Sequence, residues 1–499
     1  MPWIVHGGDL LYKDDRGWHL SPAVQGVTLD SREVRPGYIF VAVKGAHHDG
    51  HAYVGEAVRA GAVAVVGETP VAAPVPFIRV PSARRALAEL AAAWWGHPAR
   101  SLTVVGVTGT NGKTSVVYWL TQVLREAGIR TGMVSSVAVE TGRRTLAARL
   151  TTPESPDLQR YLAEMRDSGL THAVIEVSSH GIVQERIGEI GFHLAILTNV
   201  TREHLDFHLT MENYMLAKAR LFERLVPEAR GAVINADDAS ASVMRSHAAA
   251  GPVVGYGLDA GEVRARALRL EAWSSRFVVE GLGDRGLPAR LPHPGRYNVY
   301  NALAVAAAAV RLGVEPRRAV ETLARLGPVP GRMQIARSPD GVLVVVDYAH
   351  TPDGLGQALA AVRRFAPGDI WTVFGARGGR DRGKRPEMGR VAARWARHVL
   401  LTTDSPNDED PAVIAAEIAA GIPGEVDSRF IADRAEAIRV AVEEARPGDI
   451  VLITGRGPER TQTFHGRAVP MVDADAVQAA LARRGAALPA EPGREECRS

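Results

Sequence analysis

The twelve residues VVGVTGTNGKTS, Val104 to Ser115, constrain the fold more than any other stretch of the 499-residue chain. A run of mostly β-branched apolar residues leads into Gly109-Thr110-Asn111-Gly112-Lys113-Thr114, and a helical pattern, TSVVYWLTQVLREAG, begins at once. Strand, glycine loop and helix in immediate succession make a cradle for phosphate. Backbone amides and the helix N-terminus face the anion, the lysine neutralises the β and γ charges, and the Thr114 hydroxyl ligates magnesium. The usual GxxxxGK[ST] pattern puts its first glycine where this chain has Val107, whereas the glycines here stand at Gly106 and Gly109. A glycine turn without a ligand is the competing explanation, and the retained lysine counts against it.

The rest of the chain is organised around the same rhythm. Residues 26–98 alternate short β-rich runs (YIFVAV, AVAVVG, PFIRVP) with an Ala-rich helical stretch, a small α/β unit. After the glycine loop come the apolar strands HAVIEV, LAILTNV and GAVINAD, and later GVLVVVDYAH, DIWTVFG, HVLLTTD and DIVLITG, separated by helical stretches such as PDGLGQALAAVRRFA. This is the βαβ pattern of parallel sheets covered on both faces, where ligands gather at the carboxyl ends of strands. The expected fold is α/β in three domains: residues 1–98, a central P-loop domain at 99–331, and a C-terminal Rossmann-like domain at 332–484. A disordered tail is expected at 485–499. The Ala-rich NALAVAAAAVRLG reads as core helix.

Composition narrows the chemistry. A formal charge of +3 with acids and bases interspersed gives no basic stripe for nucleic acid or membrane. The single cysteine, Cys497, excludes an internal disulfide, and MPWIVHGGDL lacks the pattern of a signal peptide or membrane span, so a cytoplasmic enzyme, taken to be a monomer, is expected. Of 59 lysines and arginines only Lys13, Lys44, Lys113, Lys218 and Lys384 are lysine. In a chain that writes arginine wherever charge suffices, a surviving lysine suggests chemistry only an amine performs.

The loop, spelled GxTGTNGKT, resembles that of the Mur ligases and their folylpolyglutamate synthase relatives, which are ATP-dependent amide-forming enzymes. The resemblance runs on in order through TLDSR (28–32), TTPE (151–154), EVSSHGIVQER (176–186), TNVTREHLDFH (198–208), AKARLF (217–222), GRYNVYN (295–301), GRMQ (331–334), DYAHTPD (347–353) and GKRPEMG (383–389). Together these look like the MurE type, which adds the third residue of the peptidoglycan stem peptide. The resemblance implies ATP on Gly109 to Ser115 with Asn298, Arg332, Asp347 and His350 around the nucleotide. It also implies two magnesium ions and a Lys218 carbamoylated by CO2 to hold the second. Glu176, at a strand end, suits a magnesium ligand opposite Thr114, and His204 could complete or orient the site; the plainer alternatives are a solvated strand-end acid and a helix-face histidine.

By the same resemblance Leu29, Ser31 and the Ala46-His47-His48 turn hold the uridine diphosphate of UDP-MurNAc-L-Ala-D-Glu, while Thr151, Thr152, Ser178, Gln184 and Arg186 hold its muramoyl dipeptide. Arg385 is expected to grip the α-carboxylate of the incoming amino acid, with Gly455 and Glu459 taking the distal amine. Diaminopimelate-adding relatives commonly carry Asp-Asn-Pro-Arg where this chain has Asp404-Ser405-Pro406-Asn407. An asparagine offers no charged fork, so the pattern leans toward L-lysine or L-ornithine, with meso-diaminopimelate still open. The competing functions are a sister ligase of the folylpolyglutamate type, and a P-loop ATPase or nucleotide-binding module without ligase activity.

Overall fold

The computed structural model describes residues 11–14, 17–45, 48–271 and 273–484. The expectations for Ala46, His47, Cys497 and the tail at 485–499 lie outside the described residues.

Three large sheets follow one another along the chain. The first is parallel throughout: β1 (Gly26–Thr28), β2 (Tyr38–Ala42), β3 (Ala62–Gly67) and β4 (Phe77–Arg79), in that order, packed against helix α1 (Ala83–Trp94). The second sheet has eleven strands. Its centre is β5 (Thr103–Thr108), flanked on one side by β7 (His172–Glu176) and then β6 (Thr131–Val134), and on the other by β8 (Leu194–Leu197), β9 (Gly231–Asn235) and β10 (Val253–Gly257), all parallel. Beyond β6 the sheet continues with antiparallel strands, and beyond β10 a parallel strand, Val263–Leu270, leads to two antiparallel ones. The third sheet runs β11 (Gln334–Arg337), β12 (Leu343–Val346), β16 (Ile450–Ile453), β13 (Ile370–Phe374), β14 (His398–Thr402), β15 (Asp427–Ile431), parallel except for the β11 edge.

The unbroken apolar runs read from the sequence become strands buried on both faces. Val105 and Val107 of β5 point into a core with helix α2 (Lys113–Glu126) and helix α4 (Arg296–Arg311), while Val104 points into the opposite core. Gly106 lies within β5 rather than in the loop: a Cβ there would come within 2.8 Å of Phe192 and 2.9 Å of Leu221. The displaced glycine is therefore a packing residue, and the loop's own glycines are Gly109 and Gly112. On α2 the side chains of Val116, Val117, Leu120, Val123 and Leu124 are all buried, the i, i+3, i+4, i+7 spacing of a helix face. The Ala-rich stretch packs as α4, with Ala302 to Ala309 at most 1% exposed.

The order of strands decides where a ligand can sit. The chain leaves β5 for β6 and β7 on one side, then crosses to β8 on the other, so β5 lies at a switch point with a crevice beyond its carboxyl end. Loops 109–112, 177–178 and 198–204 open there. The third sheet aims the carboxyl ends of β12, β13, β14 and β16 at the same space.

Candidate active site

Gly112 sits at the N-terminus of α2 with φ 86° and no side chain to cap it, which leaves the first amides of the helix free for an anion. Gly109 has φ 148°, and a Cβ there would lie 1.9 Å from the Thr198 hydroxyl. Only glycine fits, because Thr198 Oγ1 reaches under the loop to donate to Asn111 O at 2.6 Å. Thr110 N bonds Asn199 O at 2.7 Å and Asn111 N bonds Asn199 Oδ1 at 2.9 Å, so β8's end clamps the loop. Lys113 folds back over it, Nζ donating to Gly109 O and Thr110 O at 3.0 and 2.8 Å. Burial pushes this amine below its ordinary range, against the pull of Glu176 and Glu203.

Thr114 and Glu176 meet across the loop: Thr114 Oγ1 donates to Glu176 Oε1 at 3.0 Å, and Ser136 N donates to Glu176 Oε2 at 2.8 Å. Arg332 Nη2 donates to Thr114 Oγ1 at 2.9 Å, and its guanidinium lies 4.2 Å over the Tyr348 ring. Hydroxyls and one carboxylate form a hard oxygen set that fits magnesium when phosphate oxygens complete the shell. Among the described residues no group of three or more His, Cys, Asp or Glu side chains could hold a metal by itself. His204 lines the cleft with its ring 4.6 Å from that of His180, and burial lowers the two to about 3 and about 4, so both are neutral.

Lys218, on helix α3 (Met211–Ala219), is 1% exposed, with Nζ donating to Gly109 O at 2.7 Å and lying 4.3 Å from the Tyr214 ring. Burial and the neighbouring Lys113 charge push its amine well below the ordinary range. It underlies the phosphate loop. Glu203, buried beside it, accepts from His350 Nε2 at 2.7 Å; burial pushes its carboxyl up, but its partners His350 and Lys384 outweigh that and hold it well below the usual range.

A recess behind the loop collects Asn111, Ser115, Asn298, Asn301, Arg332 and Asp347. Asp347 is pinned by the amides of Met333 and Ala349, both at 2.8 Å, and burial raises its pKa. Asn298 Nδ2 donates to Pro294 O at 2.7 Å. His350 stands on the cleft side instead, with Lys384 Nζ donating to its carbonyl at 3.0 Å.

On the wall below β7, Thr152 Oγ1 donates to Glu176 O and accepts from Ser178 N, each at 2.9 Å. Arg186 donates to Thr152 O at 2.9 Å and to Gln184 Oε1 at 2.6 Å, and pairs with Glu154 at 2.9 Å. Glu154 also takes Arg84 from α1 at 2.6 Å, tying the first unit to this wall. Thr151, Thr152, Ser178 and Arg186 line the cleft; Gln184 stands behind Arg186. Leu29, Ser31 and His48 are not among its lining residues. Leu29 packs on the core of the first unit and Ser31 opens a short turn capped by Asp30.

The third sheet's loops depart most from the sequence expectations. Arg385 is fully buried, its guanidinium held by Glu409 Oε2 at 2.8 Å and Glu417 Oε2 at 2.6 Å, and it does not line the cleft. Arg377 and Arg380 line it instead, from the loop after β13, and neither was singled out from sequence. Both stand a few residues past a strand end, the one signal that could have found them. Asp404, Gly455 and Glu459 are on the cleft; Ser405 is buried and accepts from Arg456 Nη1 at 3.2 Å; Pro406 packs its carbonyl against Gly378. Asn407 (φ 53°) spends its amide on Gly378 O at 2.7 Å, away from the cleft.

Three family models match in succession: Mur ligase family, catalytic domain, at residues 23–95; Mur ligase middle domain at 107–309; and Mur ligase, glutamate ligase domain, at 331–457. The UDP-N-acetylmuramoyl-L-alanyl-D-glutamate--2,6-diaminopimelate ligase of Alkalilimnicola ehrlichii is 42% identical over 96% of this chain and 97% of its own. The UDP-N-acetylmuramyl-tripeptide synthetase of a Roseiflexus species is 42% identical over 93% of this chain and 96% of its own. A solved UDP-N-acetylmuramoyl-L-alanyl-D-glutamate--2,6-diaminopimelate ligase superposes with a TM-score of 0.63 at 32% identity, covering 93% of this chain and 95% of that one. The chain belongs to the Mur ligase family.

Proposed function

We propose that this protein is an ATP-dependent amide ligase that joins a diamino acid to UDP-MurNAc-L-Ala-D-Glu in peptidoglycan precursor synthesis. One observation carries the reading: a single cleft is lined by the phosphate loop, by the Thr152–Ser178–Arg186 wall, and by charged residues of the third sheet. Three reactants need three such arms. Residues 1–98 serve as the UDP-binding domain, 99–331 as the ATP domain and 332–484 as the amino-acid domain. All arms come from one chain, which supports a monomer, and both nucleotide substrates belong to the cytoplasm.

In this reading ATP lies on Gly109 to Ser115, with its base in the recess of Asn298, Arg332 and Asp347. The γ-phosphoryl group passes to the D-glutamate γ-carboxylate, the amine attacks the acyl phosphate, and the tetrahedral adduct collapses to amide and phosphate. Lys113 and the α2 amides hold the transferring oxygens, and the Thr152 wall fixes the acceptor in line. Thr114 and Glu176, with His204 beside them, would hold one magnesium ion; bound metal supplies positive charge to the phosphoryl oxygens. For Lys218 we infer carbamoylation: the neutral amine of a buried lysine is nucleophilic toward CO2, forms an N–C bond and gives up one N–H proton to solvent, and the resulting carbamate anion would hold a second ion under the loop. Leu29, Ser31 and the 46–48 turn remain the expected uridine end.

A phosphate-release assay tests the proposal. Release should require acceptor and amino acid together; vigorous hydrolysis of ATP with neither present points instead to a plain ATPase.

A further inference from the structure

At the amine end of the cleft, charge is arranged in a way the proposed ligase reaction does not by itself require. Arg377 and Arg380 face the cleft as cations, Asp404 and Glu459 as anions. Arg380 leans toward the central domain, 3.9 Å from Asp206, and suits the carboxylate beside the attacking amine. Arg377 lies elsewhere: its Nη2 donates to Glu459 Oε2 at 2.7 Å, on the side chain that also accepts from the Tyr348 hydroxyl at 3.2 Å. Asp404 Oδ1 is buried without a hydrogen-bond partner, and its other oxygen faces the bare Cα of Gly455, where a Cβ would stand 3.0 Å away. Arg456, fully buried behind, lies 3.7 Å from Asp404 and 3.5 Å from Glu459.

An amino acid with a simple terminal amine, lysine or ornithine, needs an anion at this end and one arginine for its single carboxylate. The second arginine would be left over. A cation and an anion side by side, with the Asp404 carboxylate on the same cleft wall, complement a carbon bearing both ammonium and carboxylate. The Arg377–Glu459 pair can open to give two pairs with such a group, with no charge left buried alone. Asn407 cannot take that part, since its amide is bonded to Gly378 O on the neighbouring strand of loop.

Resting on the ligase reading above, we propose that Arg377 reads the far carboxylate of a diamino dicarboxylic acid of the 2,6-diaminopimelate class, while Glu459 and Asp404 take the ammonium on the same carbon. Arg377 is thus a specificity-determining residue, and the absence of a charged fork at position 407 does not make this a lysine or ornithine enzyme.

The test compares kcat/KM for meso-2,6-diaminopimelate and L-lysine, with saturating acceptor and ATP, in the wild type, Arg377→Gln and Arg377→Lys. The wild type should prefer diaminopimelate. Arg377→Gln should lower the diaminopimelate-to-lysine ratio about 10²-fold, chiefly through KM for diaminopimelate, and Arg377→Lys should recover part of it. Wild-type preference for L-lysine, or an equal loss on both amines in Arg377→Gln, overturns the inference while leaving the ligase reading intact. Phosphate release that responds to no amine sinks the ligase reading and the inference together.

Discussion

At the nucleotide end of the cleft recognition is built from backbone, and at the amine end from side-chain charge. Gly109, Gly112 and the first turn of α2 present amides in one fixed geometry, clamped by Thr198 and Asn199 from the adjacent strand. The amine end gathers Arg377, Asp404 and Glu459 from three loops that follow three different strands. A backbone cradle admits one spelling and fails as a unit. A ring of charges can be rewritten one residue at a time, which is how one ligase fold can take different amino acids.

The contrast predicts large, undivided losses at the first end and separable ones at the second. Lys218→Arg should lower amide formation about 10³-fold, because arginine cannot accept CO2 and brings a permanent cation beneath Lys113. Lys218→Ala should regain part of the activity when acetate or formate is added. Wild-type turnover in Lys218→Arg would remove Lys218 from the chemistry. Gly109→Ala comes next, with an expected loss of about 10²-fold in phosphate release, since its Cβ would displace the Thr198 hydroxyl 1.9 Å away and shift the whole loop. If Gly109→Ala keeps full activity, the cradle is less exacting than its geometry suggests.

How far the sequence alone reached divides along the same line. The phosphate loop was legible because strand, glycines, lysine and helix are contiguous, and Glu176 because it ends an apolar strand within a motif. Arg385 was misplaced because its environment is set by Glu409 and Glu417, 24 and 32 residues further along, which pattern does not reveal. In a chain so rich in arginine, no single one advertises itself; Arg377 and Arg380 become visible only once β13 is known to end at Phe374. The asparagine type at 407 says nothing of the bond its side chain makes to Gly378 O.

Arg380→Ala and Arg385→Ala should therefore part company. Arg380→Ala should raise KM for the amine about 10-fold or more with little change in melting temperature. Arg385→Ala should leave Glu409 and Glu417 facing each other across an empty site, one of them held at about 2 by that arginine. Both carboxylates are partly solvated, so the stability cost is about 1–3 kcal/mol, read as a fall in melting temperature. An Arg385→Ala protein that melts normally and loses amine affinity would return that residue to the binding site.

The smallest expected effect is at Asn407, where the sequence placed most weight. Asn407→Ala deletes the 2.7 Å bond to Gly378 O and puts a residue less tolerant of φ 53° into the left-handed region. Each costs about 1 kcal/mol, felt as slight loosening of the two loops against each other. Because the side chain is turned from the cleft, the ratio of kcat/KM for diaminopimelate and L-lysine should stay within about threefold of wild type. A larger shift in that ratio would mean that Asn407 swings into the cleft during turnover, and specificity would then be shared between positions 377 and 407 through the bonded loops that carry them.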